Sequence, residues 1–360
     1  MASAPQSYPV RHPVFILTYS GKNITADITR MVIEIELSEG NKTPMMPKIR
    51  ERGAKGTHRK IKNQSDELTV TVEDRDKRWQ NQWHPKRGET MSVQLGYAGE
   101  GLTPVRSFEI DELALKGPPD TFEFKCVATG VKQSLRTPRS VSYENHTLMT
   151  VAQAIAARHN LTLVGAPADI NVQWTRLTQR HETDLHFLHN LAADHGYNFS
   201  VRSTKNGPQL IFHSLSKLES AAPIYTITRG KNAIETFEFA EQTDNQYAGA
   251  EVSYHNPATK QLIKANDTAP SAVTGDTLHV VTRVETVQQA LLKAKSALHD
   301  ANMYATVAKL KMEGTPTLMH GVNVTIQGFG QYSGTYHIDY SRHRLDRSGG
   351  YTTEIELRKL

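Results

Sequence analysis

The 360-residue chain has a single cysteine, Cys126, so no intrachain disulfide is available and nothing marks an oxidising compartment. Cys126 alternates with Phe122 and Phe124 and reads as a small buried apolar side chain. Long apolar runs are also missing. No stretch approaches the roughly 20 apolar residues of a membrane helix, and the start, MASAPQSYPVRHPVFIL, has no signal-peptide core. No membrane-spanning segment is expected, and the chain should reside in the cytoplasm where it is made. The net charge of +5 is too small to mark nucleic-acid binding. Catalytic signatures are absent as well: there is no G-x-x-x-x-G-K-[ST] and no G-x-S-x-G. His181 and His186 are one residue too far apart for the zinc-protease His-Glu-x-x-His, and the closer pair, His186 and His189, has no third ligand indicated by the sequence. The carboxylate pairs Asp74/Asp76 and Asp111/Glu112 sit at strand ends, as solvated charges do. No catalytic residue, cofactor site or metal site is expected.

What is present is most specific between Leu177 and His213. Thr183 is suited to cap a helix and Asp184 to face its positive end. Leu185, Leu188, Leu191 and Ala192 recur at helical spacing, and Gly196 suits the left-handed stop. Tyr197, Phe199 and Val201 then alternate as a strand, Asn206-Gly207 turns, and Leu210 and Phe212 return.

Around this unit the chain reads as mainly β with an α+β insertion. Residues 1–128 are expected to form a first small antiparallel barrel, with strands over Val14–Leu17, Ile24–Ile28, Met31–Leu37 and onwards, and with Trp79 and Trp83 over its open end. A basic loop at 41–63 interrupts it, carrying Lys48, Arg50, Arg52, Lys55, Arg59, Lys60 and Lys62 against one acid, Glu51. A loop of that length in a compact domain suggests an interaction segment ordered by an acidic partner. Residues 129–215 form an inserted α/β domain, with a helix capped by Thr147. Residues 216–360 form a second barrel with a polar loop at 256–276 and a helix near 286–303, opened by a Thr286-x-x-Gln289 capping box.

The two barrels repeat one another in sequence. Gly88-x-x-Met91-x-Val93 matches Gly321-x-x-Val324-x-Ile326, and Phe108-x-Ile110-Asp111 matches Tyr336-x-Ile338-Asp339. Gly117 followed by Phe122-x-Phe124 matches Gly350 followed by Ile355-x-Leu357.

Several segments resemble the late control protein D family, the baseplate hub of contractile phage tails. They are Gln179 with Glu182-Thr183-Asp184, Phe187-Leu188, the strands to Phe212, the string DELTVTVEDRDKRWQNQWHPKRGETMSVQLGY with Trp79, Trp83, Gly88, Gly96 and Tyr97, and the C-terminal Gly321, Gly334, Tyr336 and Gly350. The resemblance implies a homotrimer whose two barrels per chain make a pseudo-six-fold ring. It also implies a tail tube protein above, a spike protein below, tape measure protein and DNA in the lumen, and baseplate wedge proteins around it, as part of a phage or tailocin baseplate. A type VI secretion spike hub is the alternative, for which a downstream oligosaccharide-binding domain would be expected. A wall-degrading metalloenzyme using His186 and His189 is another.

Overall fold

The computed structural model describes residues 11–40, 66–128, 137–168, 172–204, 207–242, 246–256, 260–269 and 275–360. The basic residues Lys48 to Lys62 lie outside them. The first unit contains β1 (Pro13–Tyr19), β2 (Lys22–Asn23), a helical turn α1 (Thr25–Ile28), β3 (Val32–Gly40), β4 (Glu67–Glu73), β5 (Thr90–Tyr97), β6 (Arg106–Lys116) and β7 (Thr121–Ala128). Each long strand buries alternate residues, and Leu17, Ile35, Leu37, Val70, Val93, Phe108 and Phe124 meet in one core around which the sheet rolls. The strand expected over Ile24–Ile28 is instead a helical turn. Asn23 Oδ1 accepts from the Thr25 amide at 2.9 Å and Thr25 Oγ1 accepts from the Leu17 amide at 2.9 Å, so side chains satisfy the backbone that a strand partner would have taken.

The inserted α/β part holds β8 (Pro138–Thr147), α2 (Leu148–Arg158), β9 (Thr162–Val164), β10 (Gln173–Thr183), α3 (Asp184–His195), β11 (Tyr197–Thr204), β12 (Gly207–Ser214) and α4 (Leu215–Glu219). Thr147 caps α2 by accepting from the Thr150 amide at 3.2 Å. Thr183 caps α3 by accepting from the His186 amide at 3.1 Å, and Gly196 ends it with φ 70°. The ribbon β8–β10 and the sheet β11–β12–β9 enclose a core of Ile155, Leu188, Leu210 and Phe212.

The last part contains β13 (Tyr225–Thr228), β14 (Ile234–Glu241), β15 (Gly249–Asn256), β16 (Gln261–Thr268), β17 (Thr277–Val281), α5 (Val287–Asn302), β18 (Thr306–Glu313), β19 (Asn323–Gln327), β20 (Gly334–Asp346) and β21 (Gly350–Lys359). Between β14 and β18 the chain leaves the barrel: β16, β15 and β17 form their own sheet, against which α5 packs Ala290, Ala294 and Leu298. The segment expected as a polar loop thus contains β16. Its polarity reflects a strand covered on one face only, where Ile263 and Ala265 meet this core. The Thr286 cap forms, but the Gln289 side chain accepts from the Glu285 amide at 2.7 Å rather than from that of Thr286, so the box is shifted by one residue.

Both barrels belong to one 13-stranded sheet, because β3 pairs antiparallel with β20, Glu34 opposite Asp346 through Gly40 opposite Tyr340.

Candidate functional site: the repeated barrels and their edges

The sequence repeat is a structural repeat. The pairings β1·β5·β6·β7·β4·β3 of the first barrel recur as β13·β19·β20·β21·β18·β14 in the second. The one difference of direction is that β13 runs parallel to β19 whereas β1 is antiparallel to β5. Local details coincide. The Gly88 amide donates to the Ile110 carbonyl at 2.9 Å, and the Gly321 amide donates to the Ile338 carbonyl at 2.9 Å. Both glycines have positive φ, +83° and +88°, which favours Gly. A bulge follows Ile110 in β6 and another follows Ile338 in β20, each leaving an aspartate, Asp111 or Asp339, as the extra residue. A bulge after Val32 in β3 is repeated after Ile234 in β14. The third sequence match is two residues out of register. Ile110 faces Cys126 and Ile338 faces Leu357, so Phe124 corresponds to Ile355 and Cys126 to Leu357. A two-residue slip preserves the face of every side chain, which is why the sequence pattern could not reveal it.

This register aligns Ile35 and Leu37 of β3 with Phe237 and Phe239 of β14. Ile35 and Leu37 are fully covered, in a core completed by Met319, Tyr351 and Leu345 from the second barrel. Phe237 is 46% exposed. It lies 5.1 Å from the Phe329 ring, with the Arg229 guanidinium 5.0 Å above it. Among the described residues β14 pairs only with β18, which leaves its outer edge unpaired there. The counterpart of the C-terminal half of β20 is the stretch Glu112–Lys116 of β6. Among the described residues it pairs with β7 alone, and its Leu115 is 51% exposed. The chain therefore carries one joined edge pair, β3·β20, and one copy of each joining edge left open.

The other residues singled out in the sequence are mostly supports. Trp79 is buried, its ring 5.1 Å from Phe124 and 5.4 Å from the half-buried Trp83. A Cβ on Gly96 would come within 2.5 Å of the Gly101 carbonyl. Tyr97 is buried beneath the Arg11 guanidinium, 3.6 Å from its ring, and Arg11 bonds Glu313 of the second barrel at 2.9 Å. Tyr336 is fully buried and donates to the Tyr332 carbonyl at 2.7 Å. Gly334 and Gly350 have positive φ. Leu188 lies in the inserted core.

Asp184 is buried and accepts from Arg158 at 3.0 Å, from Gln179 at 2.8 Å and from His159 at 2.6 Å. Burial alone would raise its carboxyl. The bonds from His159 and Gln179, with the Arg158 charge, outweigh that and hold it below the usual range. Glu182 meets His186 at 2.8 Å on the exposed side of α3. Among the described residues no group of three His, Cys, Asp or Glu is placed to hold a metal, so the structure brings no third ligand to His186 and His189.

Sequence reasoning missed a buried ion cluster. Arg358 bonds Asp339 at 3.0 Å and also Glu219, and His299 meets Glu219 at 2.7 Å. It ties α4 and α5 to the second barrel. No spacing signal could have found it, because its members come from four elements.

The matched register joins one edge pair and leaves its copies unpaired among the described residues. Over 239 residues the chain is 24% identical to the probable baseplate hub protein of Escherichia phage 186, covering 66% of this chain and 54% of that protein. It is 25% identical over 234 residues to the probable baseplate hub protein of Escherichia phage P2. This chain is a relative of the phage baseplate hub proteins. It spans about half the length of those curated relatives. No protein-family model matches it. In fold, this hub relative is similar to a tail protein from Neisseria meningitidis MC58, with TM-score 0.67, 14% identity and 97% of each chain covered. It is also similar to a type VI secretion component of E. coli, itself described as resembling T4 bacteriophage tail proteins, with TM-score 0.56, 11% identity and coverage of 92% of this chain and 74% of that one.

Proposed function

We propose that this chain is the structural hub of a contractile-tail baseplate. Three copies close into a ring of six like barrels, which meets a six-fold tail tube on one side and a three-fold spike on the other. Wedge proteins surround it, and the lumen passes the tape measure protein and then DNA. The observation that carries this reading is the half-covered Phe237 on an open edge whose repeat, Ile35, is sealed by β20. Repeating β3·β20 between chains sets β6 of one copy against β14 of the next. The repeated register then places Leu115 opposite Phe239 and Lys116 opposite Glu238. An open apolar edge is a liability in isolation, and closed rings are the usual resolution of head-to-tail contacts. The copy number of three follows the family resemblance.

Lys116→Cys with Glu238→Cys tests it, since both side chains are exposed and neither substitution disturbs a core. Oxidation should convert the double variant into a covalent trimer, while each single variant stays uncrosslinked. Failure to crosslink in the double variant would contradict the proposed edge pairing.

The same ring would serve a type VI spike hub, a reading favoured by the likeness to the E. coli secretion component. The basic loop stands between β3 and β4 where the β15–β17 and α5 unit stands between β14 and β18. Its cations are proposed to face an acidic neighbour in the particle.

A further inference from the structure

Between the ribbon β8–β10, helix α3 and the start of α5 lies a cleft of about 340 Å³. β10 forms one wall, and Arg176, Leu177 and Thr178 all border the cleft. Three successive strand residues can do this only when the strand offers its edge, since their side chains alternate between faces. β8 occupies the other edge of β10. A carboxylate already sits on the open edge: the Thr175 amide donates to Glu285 Oε2 at 3.0 Å. Alternate residues of a strand turn their N–H and C=O to the same side. Leu177 therefore presents the next backbone donor and acceptor to the cleft, and among the described residues no side chain bonds them.

The charge of the cleft is one-sided. Arg176, Arg180, Arg283 and Lys293 border it against Asp194 and Glu285. Lys293 is held by Asp194 at 3.1 Å, and Glu285 is taken by the Thr175 amide. Arg176 donates only to the Ser142 hydroxyl at 3.1 Å, and Arg180 and Arg283 meet no acid among the described residues. The amino end of α5, a 16-residue helix, faces the same space and adds positive potential. Trp174, Leu191 and Val284 supply an apolar floor.

We propose that this cleft captures an extended acidic peptide segment of another protein, which adds to the open edge of β10 as a third strand. Its backbone would pair with Leu177, alternate carboxylates would meet Arg176, Arg180 and Arg283, and the apolar residues between them would lie on the Leu177 face of the strand. Glu285 on the Thr175 amide is the short internal version of that contact. A polynucleotide would satisfy the arginines but has no amide spacing to match a strand edge. This surface is separate from the β6 and β14 edges, so a negative result here leaves the ring unaffected.

The test uses the full chain and a labelled peptide of alternating Glu and Val, seven residues long, with a Lys-Val peptide and a single-stranded oligonucleotide as competitors. The Glu-Val peptide should bind saturably and slow hydrogen exchange at the Leu177 amide. Arg180→Glu with Arg283→Glu should weaken binding about tenfold or more while leaving the melting temperature unchanged, because both side chains are exposed and neither has an ion-pair partner among the described residues. Absence of binding at low salt, equal binding by the double variant, an unchanged Leu177 exchange rate, or displacement by the oligonucleotide but not by excess unlabelled peptide would each overturn the proposal.

Discussion

Ile35 and Phe237 hold the same position in two copies of one barrel, and only Ile35 is sealed. The difference lies in what each strand edge meets. β3 meets β20, and the outer edge of β14 meets no strand among the described residues.

Leu115→Asp should separate assembly from folding. The side chain is 51% exposed in the single chain, so removing it should change unfolding free energy by less than about 0.5 kcal/mol. At a ring interface the same carboxylate would be buried unpaired, so self-association should weaken by at least about tenfold. Paired urea denaturation and sedimentation measurements check both halves.

Gly40→Ala should strain the joint between the barrels. Gly40 has φ +84°, and a Cβ there would come within 2.2 Å of the Asp339 carbonyl and 2.5 Å of the His320 ring. Left-handed backbone strain of about 1–3 kcal/mol adds to a backbone clash that cannot rotate away. Urea unfolding should show a loss of roughly 2–5 kcal/mol, whereas Gly21→Ala, with open space around its Cβ, should lose less.

Asp184→Ala should be among the most damaging substitutions in the inserted domain. It removes the carboxylate that His159, Gln179 and Arg158 share, and with it the counter-charge of Arg158. Breaking one partner of a buried ionic group is expected to destabilise by about 3–5 kcal/mol. Glu182→Ala, at the exposed His186 contact, should stay within about 1 kcal/mol.

Stability should fall on both sides of a maximum near the ordinary histidine value. Burial lowers His195, His337 and His343 to about 4, and it lowers His320 as well. A depressed histidine contributes stability that is present above 6.5 and lost as pH falls through the folded value, so the acid limb should take up several protons. His299 behaves oppositely. Burial works against its charge, but Asp300 and Glu219 prevail and raise it to about 9. Its contribution is complete below 6.5 and lost as pH rises through about 9. Glu219, for which burial is outweighed by His299 and Arg358, falls to about 2, so its share is present above 4.5 and lost towards 2. In a pH series of urea unfolding, His299→Gln should flatten the alkaline limb and shrink Glu219's share of the acid limb, while the share from His195, His337 and His343 stays in place.

Much of this was legible because it is local. Thr183, Asp184 and Gly196 announce a helix within one turn of each end, and Gly88 and Gly321 mark equivalent turns by the same backbone need. The strand faces follow from alternation, which puts Phe122 and Phe124 on the core face but leaves their match to the second barrel free to slip by two. What lay beyond the sequence is long-range. Nothing near β3 says that its edge pairs with β20, roughly 300 residues later, and the string around Phe237 alternates just as a sealed strand does. The cluster of Glu219, His299, Asp339 and Arg358, and the cleft beside β10, exist only where separate elements converge. The β16 segment, Gln261–Thr268, reads as loop because a strand covered on one face resembles one in composition.

The most direct test of the hub account is the native mass of the full chain beside that of its Leu115→Asp variant, at concentrations spanning the micromolar range. The account predicts a species near three times 40.2 kDa for the parent chain and a 40.2 kDa species for the variant. A parent chain that remains monomeric throughout, or a trimer that the variant forms equally well, would contradict it.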